Sequence, residues 1–150
     1  MERARPAEAD DRVACARLLD EALDGARGMR GGPALLGQET TDSLLERWSG
    51  SRASLFVGEY EGAVVGLLAV SLSESVAERV AGLIECCYVE PDARGVGVGG
   101  SLMEAAVAWC AEKGCASVDA LALPGDRTTK QRLEGSGFTA RLLTLSRRLD

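Results

Sequence analysis

The sequence predicts a mixed α/β (α+β) fold, with a mostly antiparallel sheet of six to seven strands flanked by about four helices. Two observations point there. Three apolar, strand-like runs, Ser54 to Tyr60, Ala63 to Leu72 and Val80 to Glu90, follow one another with short polar connections, the pattern of an antiparallel meander. Beyond them the order becomes loop, helix, strand, helix, strand, which adds crossover pairing and places helices on the faces of the sheet. Length supplies a third bound. A chain of 150 residues fits one domain, residues 1–150, able to bury on the order of 70% of its unfolded surface.

In order along the chain, Arg3 to Pro6 predicts a short edge strand ended by the proline. Ala7 to Asp24 predicts a helix capped by Asp10 or Asp11. Val13, Ala16, Leu19 and Leu23 form its apolar stripe, and Cys15, Leu18 and Ala22 widen it. Gly25 to Gly37 is rich in glycine and reads as a loop, a candidate flap over a substrate. A second helix is expected from Thr41 to Trp48, with Leu44, Leu45 and Trp48 on one face. Glu61-Gly62 is a two-residue hairpin signal between the first two meander strands. Ser73 to Glu78 reads as a polar turn. Gly100 to Lys113 is an apolar helix closed by Gly114. Ser117 to Leu123 is a strand, Pro124-Gly125 a turn, and Asp126 caps a short helix over Arg127 to Glu134. A last strand is expected from Phe138 to Leu149.

Composition excludes several function classes. Apolar residues make up 46% and charged residues 27%, and 17 Lys+Arg against 23 Asp+Glu leave a net charge of −6. A nucleic-acid surface needs a basic patch that this balance does not favour. Neither a signal-peptide pattern nor an apolar run near the ~20 residues that span a bilayer is present, so no membrane association and a cytoplasmic location are expected. The five cysteines, Cys15, Cys86, Cys87, Cys110 and Cys115, show no C-x-x-C spacing, and buried free thiols are expected rather than disulfides or a metal site. Histidine is absent. That removes Ser-His-Asp and Cys-His nucleophiles, and leaves acid–base chemistry to Glu, Asp, Tyr, Lys, Cys or water.

The stretch Arg94-Gly95-Val96-Gly97-Val98-Gly99-Gly100-Ser101 stands between the third meander strand and an apolar helix. Glycines this dense before a helix let several N–H groups converge on one anion, and the helix N-terminus adds about half a positive charge. The physical reading is a phosphate cradle. Gly95-x-Gly97-x-x-Gly100, with Asp119 downstream, matches the dinucleotide fingerprint, but Pro91-Asp92-Ala93-Arg94 separates the glycines from the strand, and no series of βα units follows. No Gly-Lys-Ser/Thr follows, so the P-loop pattern fails.

The same stretch resembles the acyl-CoA loop of the GNAT superfamily of N-acetyltransferases, Gln/Arg-x-x-Gly-x-Gly/Ala, with Arg94, Gly97 and Gly99 at those positions. The preceding Glu85-Cys86-Cys87-Tyr88-Val89-Glu90-Pro91 is similar to that family's E-x-x-Y-V-x-P. Asp126 to Phe138 has the spacing of its closing helix, and Arg5-Pro6-Ala7 stands before the first helix. The resemblance implies a GNAT-like fold and transfer of an acetyl group from acetyl-CoA to a primary amine of a small molecule or a protein, with no metal. It implies that the pyrophosphate of coenzyme A lies on the N–H groups from Val96 through Gly97, Val98, Gly99 and Gly100 to Ser101. It also implies that main-chain groups of Cys87, Tyr88 and Val89 pair with the pantetheine arm where two strands splay. Asp126 and Lys130, on the closing helix, are further candidates for contact with coenzyme A. Dimers are common in the family, and a homodimer is left open.

For catalysis, the resemblance implies the Val89 amide as oxyanion donor. Glu85 is the candidate base. Strict alternation would put it on the sheet face of Leu83, Cys87 and Val89, with Tyr88 opposite. The family often carries a tyrosine as general acid in Y-E-x-x-G-F. Here Leu133 replaces it, which motivates the alternative reading of an acyl-CoA-binding sensor or regulatory module with little catalysis. With no histidine to activate Cys86 or Cys87, a covalent acyl-enzyme is not expected.

Overall fold

A computed structural model describes residues 1–74 and 80–149. Its sheet has five strands in the order β1-β2-β3-β4-β5: β1 (Glu2–Pro6), β2 (Ala53–Tyr60), β3 (Ala63–Glu74), β4 (Val80–Val89) and β5 (Ser117–Ala120). The first four are antiparallel neighbours, and β5 runs parallel to β4. Five helices accompany them: α1 (Arg12–Arg27), α2 (Gly32–Leu36), α3 (Thr41–Trp48), α4 (Val98–Glu112) and α5 (Arg127–Gly135). The expected turn over Ser73 to Glu78 falls mostly on residues 75–79, outside the described residues.

The sheet separates two apolar layers. On one face, Phe56, Leu68, Val70, Ile84 and Val89 meet Val98, Leu102, Met103, Ala106 and Cys110 of α4, with Leu133 of α5. On the other, Val57, Leu67 and Ala69 meet Cys15, Leu18, Leu19 and Leu23 of α1 and Leu44, Leu45 and Trp48 of α3. Covered on both sides, β3 has no polar alternation at its centre, and Leu67 through Val70 are fully buried. α4 lies close to the sheet because glycines face it. A Cβ on Gly58 would stand 2.5 Å from Val98 Cγ1, and one on Gly82 only 2.2 Å from Cys110 Sγ.

Several sequence expectations are corrected. The sheet has five strands rather than six or seven, because the stretch from Phe138 to Leu149 pairs with no strand among the described residues. Leu142, Leu143, Leu145 and Leu149 in it are 81–91% exposed. Apolar composition supplies no hydrogen-bond partner, and β5 offers an edge only four residues long. The glycine-rich stretch after Asp24 is only partly loop: α1 continues to Arg27, and Pro33 in the first turn of α2 opens a further short helix. There are thus five helices rather than about four. On α1, Val13 faces solvent, and the buried stripe is Cys15, Leu18, Leu19 and Leu23. β1 forms the edge strand expected from Arg3 to Pro6, α3 has the expected bounds, and Glu61-Gly62 makes the hairpin with φ of 51° and 84°.

Asp11, the buried charged residue among those described, ties β1 to the start of α1. Both its oxygens receive the Arg5 fork at 2.8 and 3.0 Å, and it also accepts the Glu8 N–H at 2.8 Å. Arg5 reaches Glu59 of β2 as well. The Arg5 hydrogen bonds hold the Asp11 carboxyl below its ordinary value, outweighing desolvation. A depressed carboxylate stabilises the fold above its unfolded value near 4, and that contribution is lost as pH falls through the folded value. Asp11→Asn is therefore expected to lower unfolding free energy by about 2 kcal/mol at neutral pH. In urea titrations, the gap between wild type and variant should narrow progressively below about pH 4.

Candidate active site

Two features of β4 create the site. The first is where its pairing ends. β5 accompanies β4 only from Ala81 to Ile84, so from Glu85 to Val89 the strand has, among the described residues, a neighbour only on the β3 side. The Glu90 N–H donates to Val65 O on β3, and Tyr88 stands opposite Leu67 in the same ladder. Alternation then turns the main-chain groups of Cys87 and Val89 toward the gap, while those of Tyr88 are spent on β3. Of the three residues expected to offer free main-chain groups, the strand geometry leaves Cys87 and Val89. The Val89 carbonyl is taken by Arg94 Nε at 2.9 Å, which leaves its N–H facing the gap.

The second feature is a β-bulge. Ala69 pairs with Cys86 and Val70 with Ile84, so Glu85 is the extra residue on β4. The bulge breaks alternation. Glu85 turns to the α1/α3 face, where Cys86 and Tyr88 also lie, and not to the face of Cys87 and Val89 as strict period-2 reading predicts. Its carboxylate, 18% exposed, accepts Arg47 Nη2 at 2.5 Å on one oxygen and Trp48 Nε1 at 3.1 Å on the other. Arg47 in turn holds Glu39 at 2.8 Å. Arg47 and Trp48 escaped the sequence reading. The available signal was that a buried indole N–H requires an acceptor. A cavity of about 410 Å³ opens beside Glu85, lined also by Arg47, Arg52, Ala53, Ser71 and Leu72.

At the other end of the gap is the glycine loop. Gly95 and Gly97 have φ of 86° and 90°, in the left-handed region, and Gly97 is the N-cap of α4 with no side-chain capping bond. The first intrahelical bond there is Ser101 N–H to Gly97 O. The N–H groups of Val98, Gly99 and Gly100 thus point out of the helix start without intrahelical acceptors. A cleft of about 350 Å³ runs over them, lined by Val89, Arg94, Gly95, Gly97, Gly99 and Gly100 from the loop side and by Thr128, Gln131 and Arg132 from α5. Val96 is half-buried against the α4 layer. Arg94 lies over the Tyr88 ring, 5.7 Å from its centroid.

On α5 the side chains divide. Asp126 accepts the Thr129 N–H and hydroxyl as helix cap, and Lys130 donates to Pro124 O. Arg132 is the basic group that reaches the cleft. It lies over Gly99, and its Nη1 contacts Cys87 Sγ at 3.6 Å. Leu133 is buried in the α4 layer and provides no proton. The Tyr88 hydroxyl donates to Glu21 of α1 at 3.0 Å, and burial together with Glu21 pushes it above its ordinary value. Both cysteines of β4 are poor nucleophiles: desolvation among apolar side chains pushes Cys86 up to about 12, and desolvation also raises Cys87 against the opposing pull of Arg132. Among the described residues, no three His, Cys, Asp or Glu side chains gather as a metal site, and no helix is long and apolar enough to cross a membrane.

The family model "Acetyltransferase (GNAT) family" matches residues 16–133. The chain belongs to the GNAT acetyltransferase family. Solved structures share the fold across nearly the whole chain. A transcriptional regulator from Bacillus halodurans superposes with a TM-score of 0.76 at 20% identity, covering 99% of this chain and 100% of that one. The ribosomal-protein-alanine N-acetyltransferase of Brucella melitensis gives 0.72 at 17% identity, covering 99% and 100%. A predicted acetyltransferase of Clostridium acetobutylicum, solved with acetyl-CoA, gives 0.72 at 15% identity, covering 97% and 96%. At these identities the likeness is one of fold. No curated protein matches the sequence.

Proposed function

We propose that the protein is an acetyl-CoA-dependent N-acetyltransferase that acetylates a primary amine of a small molecule or a protein by direct attack. The observation that carries this reading is the continuity of the gap with the cradle. Free main-chain groups of Cys87 and Val89 lead to the unsatisfied N–H groups of Val98, Gly99 and Gly100, with Arg132 beside them. A pantetheine arm fits the first and a pyrophosphate the second. Acetyl-CoA supplies an activated thioester carbonyl.

The chain's own groups have definite tasks. The Val89 N–H faces the gap, placed to donate to an oxyanion. The helix start and Arg132 hold the diphosphate. Glu85 orients the amine and takes its proton, directly or through water, as the new C–N bond forms and the C–S bond breaks. The departing thiolate takes its proton from solvent, since Leu133 offers none and Tyr88 is bonded to Glu21.

Leu133, and the engagement of both Glu85 oxygens, favour a second reading, an acyl-CoA-binding sensor or regulatory module with little catalysis. Thiol release from acetyl-CoA over a panel of amines separates the two. Amine-dependent release is the expected result. Saturable acetyl-CoA binding with no turnover on any amine would favour the module, and absence of binding by calorimetry would sink both.

A further inference from the structure

The cavity beside Glu85 runs against the charge of the protein as a whole. Net charge is −6, yet the charged side chains lining this cavity are two arginines, Arg47 and Arg52, and one carboxylate, Glu85. Arg47 is shared between Glu39 and Glu85. Arg52 accepts the Leu72 N–H on its main-chain carbonyl, while its guanidinium makes no hydrogen bond or ion pair among the described residues. Arg47 is thus neutralised by two carboxylates, and the guanidinium of Arg52, with no protein anion on it, is the cation beside Glu85 that suits an incoming monoanion. It does not suit a polycation. We propose that this cavity binds the acceptor and that the acceptor is an amine carrying a carboxylate, held by Arg52 and Arg47. The proposal rests on the transferase reading above.

The same geometry explains how Glu85 becomes available. Each of its oxygens accepts a hydrogen bond, from Arg47 at 2.5 Å and from Trp48 at 3.1 Å. A substrate carboxylate arriving at Arg47 competes with Glu85 for the same guanidinium, whose fork already divides between two anions. The exchange frees one Glu85 oxygen to face the ammonium or amine of the same molecule. Trp48 continues to hold the other oxygen and keeps the side chain aimed. Arg52 supplies the attraction, and Arg47 is the positioning residue that links occupancy to release of Glu85. The uncharged Ser71 also lines the cavity and adds a hydroxyl for a polar substrate group.

The test is steady-state thiol release with acetyl-CoA and matched acceptors: the common α-amino acids, β-alanine and γ-aminobutyrate, each beside its own carboxamide, with aminomethylphosphonate as a dianionic arm. At least one acid should exceed its carboxamide in kcat/KM by about tenfold or more, the loss expected when one charge-assisted contact is removed. Arg52→Ala should bring that ratio close to one, mainly through the KM of the acid. Acetyl-CoA affinity measured by calorimetry, and the melting temperature, report separately that the variant is folded and loaded.

Equal use of acids and carboxamides, preference for the phosphonate, or turnover confined to amines without an acidic group would overturn the proposal and leave the transferase standing. Acetyl-CoA binding with no turnover on any amine, including peptides and aminoglycosides, would overturn the transferase reading and the proposal with it.

Discussion

Gly97→Val is expected to weaken acetyl-CoA binding by about a hundredfold, as measured by isothermal titration calorimetry, the loss of two charge-assisted hydrogen bonds of ordinary strength. Gly97 sits at φ 90°, where a β-branched side chain is strained, and it is the residue from which α4 starts. Any Cβ there also meets the Glu2 side chain at 3.3 Å. Relief of that strain requires the φ of residue 97 to change, and the N–H vectors of Val98, Gly99 and Gly100 turn with it. The ligand therefore loses the donors that converge on it and part of the helix-dipole attraction. Val98 beside it is buried, but the rest of the α4 core, from Leu102 to Cys110, lies a turn or more away. The melting temperature should fall by only a few degrees, consistent with strain of about 1–2 kcal/mol. Unaltered acetyl-CoA affinity would show that the cradle does not hold the diphosphate.

How far the sequence could be read depends on which structural signals are local. The hairpin at Glu61-Gly62 and the glycine-rich turn into α4 are written in runs of a few residues, and the structure shows both. The unequal length of β4 and β5, which opens the gap, follows from a strand of only four residues at 117–120. Nothing in the run from Ser117 to Leu123 announces that it stops at Ala120. The failures share a cause. Period-2 alternation assumes an unbroken ladder, and the bulge at Glu85 is a property of two strands together. Strict alternation along one strand puts Glu85 on the wrong face and separates it from Tyr88. Arg132 and Lys130 lie on one short helix, and only the packing of α5 against the loop brings Arg132 rather than Lys130 to the cleft. Phe138 to Leu149 reads as a strand on composition, although a strand exists only where another edge accepts it.

Glu85→Gln is expected to lower kcat by about a hundredfold or more, the usual contribution of a general base, with the acetyl-CoA dissociation constant unchanged. The substitution keeps the shape and an acceptor oxygen for the Trp48 indole N–H, so the side chain stays aimed. It removes the charge that draws Arg47 and the site that takes the proton. If Glu85 served only to anchor Arg47 and Trp48, the Gln variant would retain most of its activity, and the loss would appear instead in the melting temperature. The bulge makes the distinction sharp. Because Glu85 lies on the α1/α3 face and the Val89 N–H points along the sheet into the gap, in the proposed reaction base and oxyanion donor would approach the reacting carbon from different directions. That arrangement lets an amine arrive from the Arg52 cavity while the thioester enters from the cradle, so the two substrates need not displace one another. Steady-state kinetics should then show intersecting double-reciprocal lines in the wild type. Parallel lines, the signature of a covalent intermediate, would contradict direct attack and reopen the role of Cys86 and Cys87.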